Sequence, residues 1–267
     1  IAYFGGSFTG LDMELQREFL EAASGFKDER IIGIRMSTRP DYINKEILEQ
    51  CVEFGVKTIE LGVQSASNRV LELNRRGHVF EDVIRAAEMI KSFGIELGLQ
   101  MMLGMYGSDP ETDIETCRKI IELEPKCTRI YPTLVLSGTA LESLYIRGEY
   151  IPYTLETAVS TAKRCLLMFR KAGVEVIRIG LYPGEDLRSE GNIVAGPFHS
   201  AFGELVENAV YKDKIEEEII QKRLRDCDYE IIAPSSETSK IIGQKKCNKE
   251  YFFKKYGVRI KVKNRLG

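Results

Sequence analysis

Residues 81–104 read EDVIRAAEMIKSFGIELGLQMMLG. In the first half the apolar residues return every three or four positions, the spacing of one buried helix face. The run stops at Gly94, a residue that helix C-termini favour because it enters the left-handed region without a Cβ penalty. ELGLQMM then has the length and composition of a strand. The same helix-then-strand unit recurs in both directions. Strands are predicted at IAYF, GIRMS, TIELGV, ELGLQMM, TRIYPTLVL and VEVIRIG. A second clear helix, EILEQCVEFG, ends at Gly55, and another ends at Gly173. Alternation at about 25 to 45 residues per unit implies parallel strands joined by crossover helices. Six units predict an α/β fold, either a full or partial (β/α) barrel over residues 1–185 or an open, doubly wound sheet.

The rhythm changes after LYPGED. Residues 186–228 read as a loop-rich stretch, LRSEGNIVAGPFHSAFG, followed by a charged helix, KDKIEEEIIQKRLRD. Residues 229–267 read as a small β-α-α-β module: YEIIAP, SETSKIIG, NKEYFFKKYG, VRIKVK. The whole chain, 267 residues with a net charge of −2, has the 43% hydrophobic and 29% charged content of a globular enzyme. No apolar run approaches the roughly 20 residues that span a bilayer, and no membrane partner is expected. The charge is unevenly placed: from Lys240 to Gly267 ten Lys or Arg face one acid, Glu250, a local footprint for phosphate or a solvated Lys-rich surface. Cys51, Cys117, Cys127, Cys165, Cys227 and Cys247 are dispersed, with no CxxC, as expected of reduced cytoplasmic thiols with packing roles.

A barrel gathers its site in the turns after its strands. Those turns carry Gly5, Gly6 and Ser7, then STRP at 37–40, then Gln64 and Ser65, then QMMLG at 100–104. NRRGH at 74–78 adds Arg76, whose fork suits a carboxylate, and His78, which more often orients a loop. His199 lies after the barrel and reads as structural.

At these residues the chain resembles a known family. FGGSFT, STRPDYI, ELGVQS, NRRGH and IYPTLVLSGTALESLYIRGEYIPYT look like the radical S-adenosylmethionine (SAM) enzymes. The branch most resembled holds the catalytic subunit of Elongator and its shorter bacterial relatives, and oxygen-independent coproporphyrinogen oxidases share the turn pattern. The resemblance implies an enzyme that uses SAM and a [4Fe–4S] cluster to make a 5′-deoxyadenosyl radical, with a flavodoxin or ferredoxin as reductant. It implies Gly5, Gly6 and Ser7 at the methionine amino group, Arg76 at the carboxylate, and Ser37 and Gln100 at the ribose. Gln64 and Ser65 fall among the polar SAM contacts, and Met102 lies in the stretch beside the adenine. The family's CxxxCxxC loop is not in this chain, so the cluster cysteines are expected upstream of Ile1 and the chain alone is expected to be inert.

The tail resembles a KH domain, whose GxxG loop clamps a nucleic-acid backbone. Here that loop would be Gly243, Gln244, Lys245 and Lys246. Together the two resemblances imply RNA, and tRNA in particular, as the partner. A degenerate barrel that only binds RNA or SAM, an enzyme acting on a small molecule in the manner of the coproporphyrinogen oxidases, and a metal-independent barrel with a phosphate-bearing substrate at Gly5-Gly6 are the alternatives.

Overall fold

In the computed structural model, residues 1–26, 30–182, 184 and 191–264 are described. Six parallel strands form one sheet: β1 (Ala2–Tyr3), β2 (Ile34–Thr38), β3 (Val56–Gln64), β4 (Glu96–Leu103), β5 (Cys127–Pro132) and β7 (Glu175–Ile179). Their spatial order follows their chain order without a reversal. A doubly wound sheet needs a reversal at a switch point, so the open alternative is excluded. The sheet is a curled half-barrel.

The helices α1 (Met13–Ser24), α2 (Lys45–Glu53), α3 (Asn68–Leu73), α4 (Phe80–Ser92), α5 (Pro110–Glu122), α6 (Ala140–Ile146) and α7 (Leu155–Lys171) fill the crossovers. Several start on a side chain that satisfies an otherwise orphaned amide. Asn44 accepts from Ile47 N at 2.9 Å, and Asp109 from Thr112 N at 2.8 Å ahead of Pro110. Gly55, Gly94 and Gly173 end their helices with φ of 69°, 72° and 75°.

Strand periodicity divides the sheet into two chemically different faces. Ile34, Met36, Ile59, Leu61, Leu97, Leu99, Met101 and Ile130 are buried in the main apolar core. Their alternate neighbours, Arg35, Ser37, Glu60, Gln100, Met102, Arg129 and Tyr131, fall on the other, concave face. A parallel sheet is normally apolar on both faces. Here one face is polar.

TRIYPTLVL does not form one strand. β5 stops at Pro132, which has no N–H to donate to the ladder, and Val135–Leu136 forms β6, pairing antiparallel with β8 (Ile193–Ala195). The boundary at 185/186 and the loop residues 187–190 lie outside the described residues. The charged helix begins ten residues earlier than its charge pattern suggests: α8 runs Phe202–Gln221. Its Phe202, Val206 and Val210 pack in the barrel core, while Ile215 and Ile219 pack in a second core with Ile241, Phe252, Val258 and Ile260. That second core holds β9 (Asp228–Ala233), α9 (Thr238–Ile242), α10 (Cys247–Tyr256) and β10 (Arg259–Asn264), with β9 and β10 paired in parallel. One helix therefore belongs to both cores.

Candidate active site at the strand ends

The turns after β1, β2 and β3 share one rim because these strands are neighbours in a parallel sheet. Gly5 has a φ of 107°, and a Cβ added at Gly5 or Gly6 would meet nothing within 4 Å. The two glycines thus present bare backbone to open space. The following turn is tied to the next strand by Thr9 Oγ1 and Thr38 Oγ1, 2.5 Å apart. At the end of β3 the pairing with β4 slips between Gly62 and Gln64, and Gln64 takes a φ of 65°. Its side chain folds back over Gly62, where a Cβ would lie 2.6 Å from Nε2. Among the described residues it makes no side-chain hydrogen bond. Ser65 turns the other way: it is buried against Thr116, 3.4 Å away, and accepts from Ser67 N at 3.2 Å. It supports the α3–α5 junction rather than the rim.

Arg76 and His78 follow α3 and return to the same rim. Nε2 of the buried His78 sits 3.5 Å from Val63 O, while its Nδ1 is buried with no partner among the described residues. Burial pushes the imidazole below its ordinary pKa. Arg76 is more unusual. Its Nε is buried and has no acceptor among the described residues. Burial first, and then the neighbouring Arg39, lower its pKa. Arg39 is itself committed to Asp41 by two hydrogen bonds of 2.9 and 2.7 Å. A desolvated donor without an acceptor is costly, and at a rim it marks the place where an anion would be stabilising.

On the concave face Glu60, 1% exposed, organises its neighbours. It accepts from Arg129 Nε at 2.5 Å and Nη2 at 2.9 Å, faces Arg35 Nε at 3.4 Å, and accepts from Gln100 Nε2 at 3.1 Å. Gln100 also donates to Ser37 Oγ at 3.1 Å. Ser37 and Gln100, two strands apart, are thereby joined. Arg129 lies under the exposed ring of Phe4, 4.8 Å from its centroid. Burial works against the Arg129 charge, but the Glu60 hydrogen bonds outweigh it and raise the pKa. Sequence reasoning missed Glu60 and Arg129. The available signal was a charge in the middle of an apolar strand, at the alternate positions of TIELGV and TRIYP.

The loop after β4 is held from behind by Asp113. Its carboxylate accepts from Gly104 N at 2.9 Å, Ser108 Oγ at 2.6 Å and Tyr153 OH at 2.8 Å. Tyr150 OH donates to Gly104 O at 2.7 Å. Tyr150 and Tyr153 belong to GEYIPYT, so that stretch clamps the QMMLG loop. Met102 lies beside Gln100 on the polar face, whereas Met101 is in the core.

Residues 5–120 match the Radical SAM superfamily, and residues 125–212 match the Radical_SAM C-terminal domain. The chain belongs to the radical SAM superfamily. Within it, the chain is 35% identical over 176 residues to a tRNA uridine(34) acetyltransferase of Methanocaldococcus jannaschii, covering 58% of this chain and 32% of that protein. It is 31% identical over 185 residues to Elongator complex protein 3 of Saccharomyces cerevisiae, covering 61% and 33%. The solved structure of Elp3 from Methanocaldococcus infernus, with an N-terminal deletion, superposes with a TM-score of 0.68 at 30% identity, over 80% of this chain and 54% of that one. The chain spans about a third of the length of these curated relatives.

Radical SAM proteins use SAM and a [4Fe–4S] cluster, and the residues can be tested against each. The bare Gly5-Gly6 backbone and the orphaned Arg76 Nε fit the amino acid end of SAM. Cluster ligands are another matter. Among the described residues no three His, Cys, Asp or Glu side chains approach closely enough to hold a metal. Cys51, Cys117, Cys127 and Cys165 are buried.

The C-terminal loop has a defined shape. Gly243 has a φ of 79°, and a Cβ there would clash with Cys247 Sγ at 2.6 Å and Asn248 Cγ at 2.9 Å. Lys245 and Lys246 are both left-handed, with φ of 50° and 65°, and exposed. Buried Asn248 donates to Asn208 O at 3.0 Å and Ile241 O at 3.3 Å, pinning the loop to α8. Much of the tail's positive charge is neutralised. Arg259 and Lys261 pair with Asp228, Lys263 with Glu230, and Lys255 with Glu216. Lys245 and Lys246 at the loop have no ion pair among the described residues, and neither have Lys249 and Lys254 of α10.

Proposed function

We propose that this chain carries the SAM-binding rim and the RNA-docking surface of a radical SAM enzyme that modifies tRNA. The observation that carries the reading is Arg76, whose buried Nε has no acceptor among the described residues, on the rim where the turn after β1 exposes bare glycine backbone. In this reading Gly5, Gly6 and Ser7 receive the methionine amino group and Arg76 its carboxylate. Ser37 and Gln100 face the ribose, Met102 lies along the adenine, and Gln64 closes the edge of the site. When bound with SAM, a reduced cluster would supply the electron that yields a 5′-deoxyadenosyl radical. This chain's own part is to orient the nucleoside and keep water from it. Lys245 and Lys246 would lie along the RNA backbone, where each neutralised phosphate adds affinity that falls with salt. Similarity to proteins named for tRNA uridine(34) acetylation supports tRNA as the RNA.

Calorimetric titration of this chain with S-adenosylhomocysteine tests the rim, and micromolar to sub-millimolar binding is expected. No binding at millimolar ligand would end the reading. Anaerobic reconstitution of the full-length protein with iron, sulfide, reductant and SAM should release 5′-deoxyadenosine. Binding without that product would leave an adenosyl-binding module.

A further inference from the structure

The hydrogen-bond polarity of the concave face is set by Glu60, and it reaches Gln100. We infer that Glu60 is a positioning residue that holds the Gln100 carboxamide with its oxygen outward, so that the site accepts a hydrogen bond from a ribose hydroxyl and selects for it. This rests on the proposed adenosyl-binding role of the rim.

A carboxylate flanked by Arg35 and Arg129 can only accept. The Gln100 atom 3.1 Å from Glu60 Oε2 is therefore its nitrogen, and that same nitrogen donates to Ser37 Oγ at 3.1 Å. Both amide hydrogens are used on the protein side. Gln100 Oε1 has no hydrogen-bond partner among the described residues and is not sealed from solvent. The site therefore shows a pure acceptor at this position. A hydroxyl can donate to it, whereas a phosphate or carboxylate oxygen would be repelled. Glu60 is kept in place from across the strand pair, where Gly98 leaves room for its side chain.

Glu60→Gln reverses this polarity. Oε1 faces two guanidinium groups and Oε2 one, so the single oxygen of the new amide belongs at the Oε1 position. Its NH2 then faces Gln100, which must turn its own oxygen inward to accept.

The test compares S-adenosylhomocysteine with its 2′-deoxy and 3′-deoxy analogues by calorimetry. The wild-type chain should bind at least one deoxy analogue about tenfold more weakly, the usual effect of leaving an acceptor unpaired. Gln100→Met should bind parent and analogue equally, the parent having lost the tenfold. A hydroxyl can also accept, so the turned amide of Glu60→Gln is read with the 2′- and 3′-fluoro analogues, which cannot donate: the wild type should bind them about tenfold more weakly than the parent, and Glu60→Gln should lose that penalty. Equal binding of all three ligands by the wild type overturns the inference while leaving the rim reading intact. No binding of any ligand ends the rim reading itself. A fluoro penalty unchanged in a folded Glu60→Gln overturns the role of Glu60. Should Glu60→Gln not fold, the side-chain amide signals of 15N-glutamine-labelled wild type decide. The pair that disappears in Gln100→Met should exchange slowly with solvent, and exchange at the free-amide rate overturns the inference.

Discussion

Gly98 stands directly across β3 and β4 from Glu60, and a Cβ at position 98 would lie 2.7 Å from Glu60 Cγ and 3.2 Å from Cys127 Sγ. The missing side chain is what lets a charged residue stand upright in a closely paired sheet. Gly98→Ala should displace Glu60 without altering any charge. We expect a loss of about 1–3 kcal/mol by urea unfolding, the usual range for overpacking, with weakened discrimination between ribo- and deoxy-ligands. Unchanged stability would show that Glu60 has another rotamer at little strain.

Arg76 should separate stability from binding. Its Nε is buried without an acceptor, and no acid pairs with it among the described residues, so Arg76→Met should leave thermal stability unchanged or raise it slightly. S-Adenosylhomocysteine affinity should fall at least tenfold, the scale of one charge-assisted hydrogen bond. A destabilised variant with unchanged affinity would assign Arg76 to the scaffold.

Asp113 predicts a pH dependence. Burial pushes its carboxyl up to about 6, against the hydrogen bonds from Ser108, Gly104 and Tyr153. A carboxyl raised by folding binds more protons in the native state, so its contribution grows as pH falls from about 6 towards 3.8 and is lost as pH rises through 6. Relative to Asp113→Asn, the wild type should gain up to about 3 kcal/mol over that window. Parallel pH profiles of the two proteins in urea unfolding would contradict this.

Lys245→Glu combined with Lys246→Glu should weaken RNA binding and flatten its dependence on salt, with a slope smaller by about two phosphate contacts. Fluorescence anisotropy with a labelled tRNA across a salt series measures both. Lys261→Glu, which loses an ion pair with Asp228 rather than an exposed charge at the loop, should have much less effect.

Glu216 ties the C-terminal module to α8 through Tyr251 OH at 2.6 Å, Tyr256 OH at 2.6 Å and Lys255 Nζ at 2.8 Å. Burial alone would raise its pKa, but these donors outweigh it and hold the carboxyl down at about 2. Its stabilising effect is present above the ordinary value of 4.5 and is lost as pH falls towards 2. Hydrogen exchange at pH 3 should therefore show β9 and β10 opening before the barrel strands, and uniform opening would refute it.

The strand-helix rhythm, the glycine stops and the polar turns were legible in the chain itself, because 3.6- and 2-residue periodicities and left-handed helix ends are local properties. A helix such as EDVIRAAEMIKSFG shows its buried face without help from its neighbours. The single winding of the sheet, the charge ladder from Arg35 through Glu60 to Arg129, and the shared helix α8 became visible only with tertiary structure. Each depends on which strands adjoin, and pairings such as Glu60 with Arg129 join positions 69 apart in the chain. The basic tail taught the same lesson in reverse: its lysines read as free in sequence, and several were neutralised once β9 and α8 came alongside. Local order follows from spacing along the backbone, whereas the electrostatics of a site follow from folding distant residues into contact.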